Sequence, residues 1–186
     1  MSLAESVDFS DCMTAGVPSL QYLTFRLADE EYGVEILRVQ EIKEWRNGAT
    51  RLPRTPGYIK GVINIRGTIV PIVDLRSRFA IDSAPPPAPH VVIILRVVEA
   101  KKERVVGIVV DAVSDVLSAD SDRLLPPPDV GNASDTAFIK GLVSVGERML
   151  IALDIDRLLN DIAHTAHDES NISTIESTGG THHEGE

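Results

Sequence analysis

The chain repeats itself. Residues 58–75 align with residues 138–155 without a gap, so Ile59, Lys60, Gly61 and Asp74 return as Ile139, Lys140, Gly141 and Asp154. Apolar positions meet apolar positions almost throughout. A second match sets residues 33–42 against 107–116, and the second copy has a slightly longer central loop where Pro126, Pro127 and Pro128 fall. Such a repeat constrains the architecture more than any compositional value does. One unit of roughly 70 residues buries too little surface to be more than marginally stable alone. Two copies packed together, or exchanging strands, bury a larger shared core. The copies differ at polar positions: Arg66-Gly67 becomes Gly146-Glu147, and Glu41 becomes Asp115. Any site built on this frame is therefore asymmetric.

The repeated unit reads as all-β. Leu23, Phe25 and Leu27 alternate with Thr24 and Arg26, the mark of a half-buried strand. Asp29-Glu30-Glu31 is expected to turn the chain into a second strand, residues 32–36, which continues through residues 39–42. The broken alternation at Ile36-Leu37 predicts a bulge or bend of the kind barrels require. Residues 62–65, Arg66-Gly67 and residues 68–73 form a hairpin pattern, with Gly67 suited to a positive φ. Asp74 is placed to cap a short helix over residues 75–79. Residues 91–98 are a β-branched run, residues 100–103 a charged turn, and residues 104–110 a partner strand that leads on through Val113 and Val116. Residues 125–129 read as a Pro-rich loop and residues 138–153 as the second hairpin. Residues 154–163 read as a helix with Ile155, Leu158, Leu159 and Ile162 on one face.

This gives a domain over 19–166, made of a first repeat (19–82), a Pro-rich linker (83–89) and a second repeat (90–166). Residues 1–18 and 167–186 are polar and aperiodic and read as tails. No run approaches the roughly 18–20 apolar residues of a membrane helix, and the acidic N-terminus lacks the pattern of a secretion signal. A soluble, cytoplasmic protein with no direct membrane insertion is expected. The single cysteine, Cys12, cannot form an internal disulfide.

Catalytic groupings are hard to find. The sequence has no Cys-x-x-Cys, no His-Glu-x-x-His, no Gly-rich phosphate loop and no Gly-x-Ser-x-Gly. His90 alone among five histidines lies within the strands, and the adjacent His182 and His183 sit in the C-terminal tail without a third ligand. Asp74 and Asp154 read as helix caps. The net charge of −10 and the 4% aromatic content weigh against nucleic-acid binding. The expectation is therefore no enzyme, no cofactor and no metal. Glu41 and Arg66 are the polar groups embedded in apolar strands, and they pair if the hairpin folds back over the strand. The lone Trp45 reads as a half-buried structural residue beside the Arg46-Asn47-Gly48 turn, with an anchor for a partner as the alternative.

Several stretches together closely resemble the CheW family: Glu31-Tyr32-Gly33-Val34-Glu35-Ile36, Val39-Gln40-Glu41-Ile42, Tyr58-Ile59-Lys60-Gly61, Asn64-Ile65-Arg66-Gly67, Ile69-Val70-Pro71-Ile72-Val73-Asp74-Leu75-Arg76, and residues 105–116. The resemblance covers about residues 20–160, in order. It implies two SH3-like five-stranded barrels over a common core, with short helices including a C-terminal one. It implies a chemotaxis adaptor that links the cytoplasmic tip of chemoreceptors to the regulatory domain of a CheA-type histidine kinase at membrane-associated receptor arrays. The same fold in a chemosensory pathway controlling pili or development is the alternative. Positions matching family residues tied to partner binding are Val39, Glu41, Gly61, Arg66, Val91 and Val116. For Val91 and Val116 a core role is the plainer reading, and at Gly61 a side chain is expected to obstruct close backbone approach. The Pro-rich linker, the charged turn after Glu99 and the two tails depart from the simplest family pattern.

Overall fold

A computed structural model describes residues 19–46, 48–81, 89–99, 102–120, 124–127, 137–145 and 148–160. Strands dominate. They run β1 (Ser19–Leu27), β2 (Glu30–Glu35), β3 (Val39–Trp45), β4 (Ile59–Ile65) and β5 (Thr68–Asp74) in the first repeat. The second repeat supplies β6 (His90–Glu99), β7 (Lys102–Val110), β8 (Ala112–Asp120), the two-residue β9 (Leu124–Leu125), β10 (Ile139–Val145) and β11 (Arg148–Leu153). Helix α1 (Leu75–Arg78) follows β5, and residues 155–160 form the equivalent helix α2 after β11.

The strands fall into two curled sheets, ordered β8-β1-β2-β11-β10-β9 and β3-β6-β7-β5-β4. Each sheet draws on both repeats. The first hairpin of one repeat joins the last hairpin of the other through a parallel pairing, β11 with β2 and β5 with β7. The duplication extends to register: Ala152 faces Gly33 in one sheet, and Ile72 faces Gly107 in the other. Bulges recur as well, between Ile59 and Gly61 and between Ile139 and Gly141. The two curled sheets are the two SH3-like units, with β9 as an addition to one of them.

Among the described residues, three apolar clusters follow from this exchange. Tyr22, Val143, Leu150 and Ala152 fill one barrel, and Trp45, Val70, Ile72, Val92, Ile94 and Val109 fill the other. Between them lies the largest cluster, built from Leu23, Phe25, Leu27, Ile93, Leu95, Val97, Ile108, Leu153, Leu158 and others. Strand β6 faces a barrel interior with Val92 and Ile94 and the shared core with Ile93, Leu95 and Val97. Burial on both faces explains the apolar run over residues 91–95, which is broken only at the exposed Arg96 before Val97 returns to the core.

The structure departs from the sequence reading in several places. The first hairpin turns at Ala28-Asp29, with Ala28 at φ 54, so Glu30 and Glu31 already belong to β2. Residues 36–42 do not prolong β2 past a bend. A 3-10 turn, Ile36–Arg38, hands the chain to the other sheet, where β3 begins. Lys102 and Glu103 pair with Glu99 and Val98 and so lie in β7 rather than in the turn. Leu125 pairs with Leu142 as part of β9, so the Pro-rich loop begins one residue later. Trp45 is buried, more completely than the half-buried position expected, and it serves the barrel core. Cys12, His182, His183, residues 83–88 of the Pro-rich linker and both tails lie outside the described residues. No helix among the described residues is long and apolar enough to cross a membrane.

Candidate functional site

The β4–β5 hairpin is closed by Arg66 and Gly67, both at positive φ (51 and 87), a two-residue turn matched to the twist of its strands. The amide of Gly67 donates to Asn64 Oδ1 at 2.8 Å and fixes the loop. The turn projects the Arg66 side chain toward β3, where Glu41 Oε1 lies 3.7 Å from Arg66 Nη2 and 3.2 Å from Lys43 Nζ. Glu41 and Lys43 share a strand face because side chains two apart point the same way. The predicted Glu41–Arg66 pair therefore exists, and it has a third member that the sequence reading passed over. The alternation of Glu41, Ile42 and Lys43 was the signal that could have found it.

Beside the Glu41–Arg66 pair is an open hollow of about 180 Å³ lined by Gln40, Glu41, Ile65, Arg66, Thr68, Val70, Ile94 and Val105. The floor is aliphatic and the rim is charged. In the second repeat the position of Glu41 is taken by Asp115, whose backbone exchanges hydrogen bonds with the Thr24 hydroxyl at 3.1 Å. Asp115 Oδ1 also accepts from the Val116 amide at 2.7 Å. Asp115 thus serves its own strand, and the two barrel ends differ chemically on a common frame.

The other family-matched positions are dispersed around this frame. Val39 begins β3 and packs on the shared core while remaining partly open. Val91 is half-buried against the same core, in keeping with a core role. Val116 is 43% exposed on the edge strand β8, and its counterpart Ile42 is 44% exposed on the edge strand β3. The core reading of Val116 is thereby corrected: its strand pairs on one side only, and its side chain points outward. Gly61 is buried and at φ +130, and a Cβ there would stand 2.2 Å from the Thr50 carbonyl oxygen. Thr50 crosses Gly61 closely because it exchanges two hydrogen bonds with Val62, at 2.8 and 2.9 Å. Gly61 thus shapes the barrel end without presenting a side chain to it.

A second opening lies against the shared core. Tyr32, Phe79, Phe138, Ile139 and Ile151 line a cleft of about 380 Å³ with Arg78 and Ala80 at its edge. Its walls are held by an aromatic ladder: Phe25 on Tyr32, Tyr32 on Phe79, and Phe79 on Phe138 at 4.9 Å between ring centroids. Burial, with the Glu30 charge adding to it, pushes the Tyr32 phenol above its ordinary range. These aromatics come from distant stretches of sequence, and no local pattern announces them.

A third hollow, polar and about 130 Å³, is lined by Glu35, Arg38, Lys140, Asp154 and Asp156. Lys140 pairs with Glu35, Arg38 pairs with Asp156 at 2.6 Å, and Asp154 meets Arg157 at 3.5 Å. Among the described residues no three His, Cys, Asp or Glu side chains converge as a metal site. Asp74 and Asp154 cap their helices as expected, accepting from Arg76 and Ser77 amides and from the Arg157 amide respectively.

Comparison with known proteins agrees with this frame. A family model described as the CheW-like domain matches residues 21–163. A chemotaxis protein CheW from Klebsiella aerogenes is 47% identical over 140 residues, covering 75% of this chain and 81% of that one. Protein FrzA of Myxococcus xanthus is 33% identical, covering 73% and 82%. The crystal structure of the scaffolding protein TtCheW from Thermoanaerobacter tengcongensis superposes with a TM-score of 0.67 at 32% identity, covering 78% of this chain and 90% of that one. The chain belongs to the CheW family of chemotaxis coupling and scaffold proteins.

Proposed function

We propose that this protein couples chemoreceptors to a CheA-type histidine kinase, binding the cytoplasmic tip of the receptor and the regulatory domain of the kinase at separate surfaces. It acts as an adaptor, without catalysis and without a cofactor, and is recruited from the cytoplasm to membrane-associated receptor arrays. The observation that carries this reading is the open apolar hollow rimmed by Glu41 and Arg66, two of the family-matched positions, on a frame whose second copy is dressed differently. A duplicated frame with unlike ends offers two surfaces for two partners. The cleft lined by Tyr32, Phe79 and Phe138 adds an apolar surface suited to a helix laid into a groove. Val39, Glu41, Arg66 and Val116 act from the surface, while Gly61 and Val91 hold the backbone that presents them. Coupling then follows from differential binding: a receptor state that alters the adaptor's fit to the kinase shifts the kinase between states that differ in activity.

The test is direct binding of the purified chain to a CheA-type regulatory domain and to a receptor hairpin-tip fragment, read by calorimetry. Micromolar binding to both, with kinase activity restored in a reconstituted array, is the expected result. Absence of binding to both fragments would remove the reading.

A further inference from the structure

We infer that Lys43 is a positioning residue: it holds the Glu41 carboxylate so that the Arg66 guanidinium stays available to a carboxylate on the partner protein. The inference rests on the reading that the Glu41–Arg66 rim faces a partner. Lys43 and Arg66 address the same oxygen, Glu41 Oε1, and the shorter contact belongs to lysine, 3.2 Å against 3.7 Å. At 3.7 Å the arginine contact is an ion pair and not a hydrogen bond, so the donor fork of Arg66 is left open. The Arg66 side chain is 85% exposed, compared with 41% for Lys43 and 28% for Glu41. The turn hydrogen bond from Gly67 to Asn64 anchors the arginine's backbone, so its reach is set by the side chain alone.

Two cations on one carboxylate leave a net positive spot on a chain whose net charge is −10. That spot sits at the rim of an aliphatic floor made by Ile65, Val70, Ile94 and Val105. The complementary partner element carries an Asp or Glu beside an apolar side chain, because arginine pairs with carboxylates in a planar, two-pronged geometry. Without Lys43, Glu41 has only Arg66 to neutralise it. The internal pair then closes, and the partner's carboxylate must displace it.

The experiment is a double-mutant cycle on binding to the receptor-tip fragment and to the kinase regulatory domain, using the full chain. Lys43→Met is expected to weaken binding about three-fold for whichever fragment Arg66→Ala also weakens, in line with the magnitude of exposed ion pairs. In a Glu41→Gln background the same Lys43→Met change is expected to have no effect, because no carboxylate remains to be held. A loss that persists at full size in that background would show that Lys43 meets the partner directly and would overturn the inference. So would a Lys43→Met variant that binds like the parent while Arg66→Ala binds weakly. Arg66→Ala binding both fragments like the parent would remove the underlying rim reading together with the inference. Urea unfolding of each variant checks that the fold is retained.

Discussion

Arg76 of the first repeat and Asp111 of the second form a buried ion pair, with Arg76 9% and Asp111 7% exposed. Arg76 stands in helix α1, and Asp111 stands between β7 and β8. Asp111 Oδ2 also accepts from the Ala28 amide at 2.8 Å, so one carboxylate ties α1 to the first hairpin turn. The second repeat keeps this connection and exchanges its charges. Asp156 occupies the place of Arg76, accepts from the Val98 amide at 2.8 Å and pairs with Arg38. In both halves a carboxylate caps a strand-end amide and meets an arginine across the seam between repeats. Only the Arg76–Asp111 version is removed from water.

That difference in burial sets the first expectation. Arg76→Ala should cost about 3–5 kcal/mol of stability, because it leaves the Asp111 charge buried without its partner. Arg38→Ala, whose pair is 29% exposed on each side, should cost about 1 kcal/mol or less. Replacing both members, Arg76→Met with Asp111→Leu, should recover most of the loss, since no stranded charge remains. Urea unfolding at neutral pH measures all three. An Arg76→Ala variant within about 1 kcal/mol of the parent would mean that water reaches the pair.

The second concerns acid sensitivity at Asp74. Burial pushes its carboxyl up, but the hydrogen bond from Lys60 at 2.8 Å, the Ser77 hydroxyl and amide, and the Lys60 charge outweigh it and hold the group below its ordinary value. A carboxyl whose folded pKa lies below its unfolded one stabilises the fold above the unfolded pKa. That contribution disappears as the pH falls through the folded pKa. Asp74→Asn should therefore be less stable than the parent by about 1 kcal/mol at pH 7, a modest value because Lys60 is partly solvated. The gap should stay constant down to about pH 5 and narrow as the pH falls below about 4. Unfolding midpoints at pH 7, 5 and 3 test this, and a gap as wide at pH 3 as at pH 7 contradicts it.

Legibility in the sequence followed the range of the interactions. The duplication, the strand periods, the Arg66-Gly67 turn and both aspartate caps are local patterns and could be read directly. The Glu41–Arg66 pair could be anticipated because the β4–β5 hairpin and β3 belong to one repeat. The handover at residues 36–38 could not, because broken alternation looks the same whether a strand bulges or leaves its sheet. Val116 was misread for a related reason: an apolar residue in an apolar strand points outward when the strand is at an edge. The Arg76–Asp111 pair and the Phe25-Tyr32-Phe79-Phe138 ladder depend on how the repeats exchange hairpins, and no local pattern encodes that.

The third expectation separates structure from recognition at Gly61. A Cβ there meets backbone, at 2.2 Å from the Thr50 oxygen and 2.7 Å from its carbonyl carbon, and no side chain can rotate to make room. Gly61→Ala should cost about 3 kcal/mol or more, with the strain of φ +130 adding to the clash. Faster hydrogen exchange at the Thr50 and Val62 amides should report the displaced strap. Gly57→Ala, which meets nothing within 4 Å, is the control and should stay within about 0.5 kcal/mol. Unchanged stability of Gly61→Ala would mean that the strap is easily moved, leaving any binding defect there to a direct contact.

The last expectation concerns the rim itself. Glu41 and Arg66 interact at 3.7 Å with the arginine 85% exposed, a geometry that contributes little to folding. Glu41→Ala and Arg66→Ala should therefore each unfold cooperatively, within about 1 kcal/mol of the parent. Their effect should appear in binding instead. Arg66→Ala removes the open guanidinium and should weaken partner binding about ten-fold, the loss typical of one charge-assisted contact at an interface. Glu41→Ala removes the competing carboxylate and frees Arg66 and Lys43 together, so it should weaken binding less than Arg66→Ala at low salt, and that advantage should shrink at high salt as the extra positive charge is screened. Calorimetric titrations of both variants at low and high salt distinguish the two behaviours. Equal losses from the two substitutions at both salt concentrations would show that the pair acts as a unit in shaping the hollow, and that Arg66 makes no separate contact.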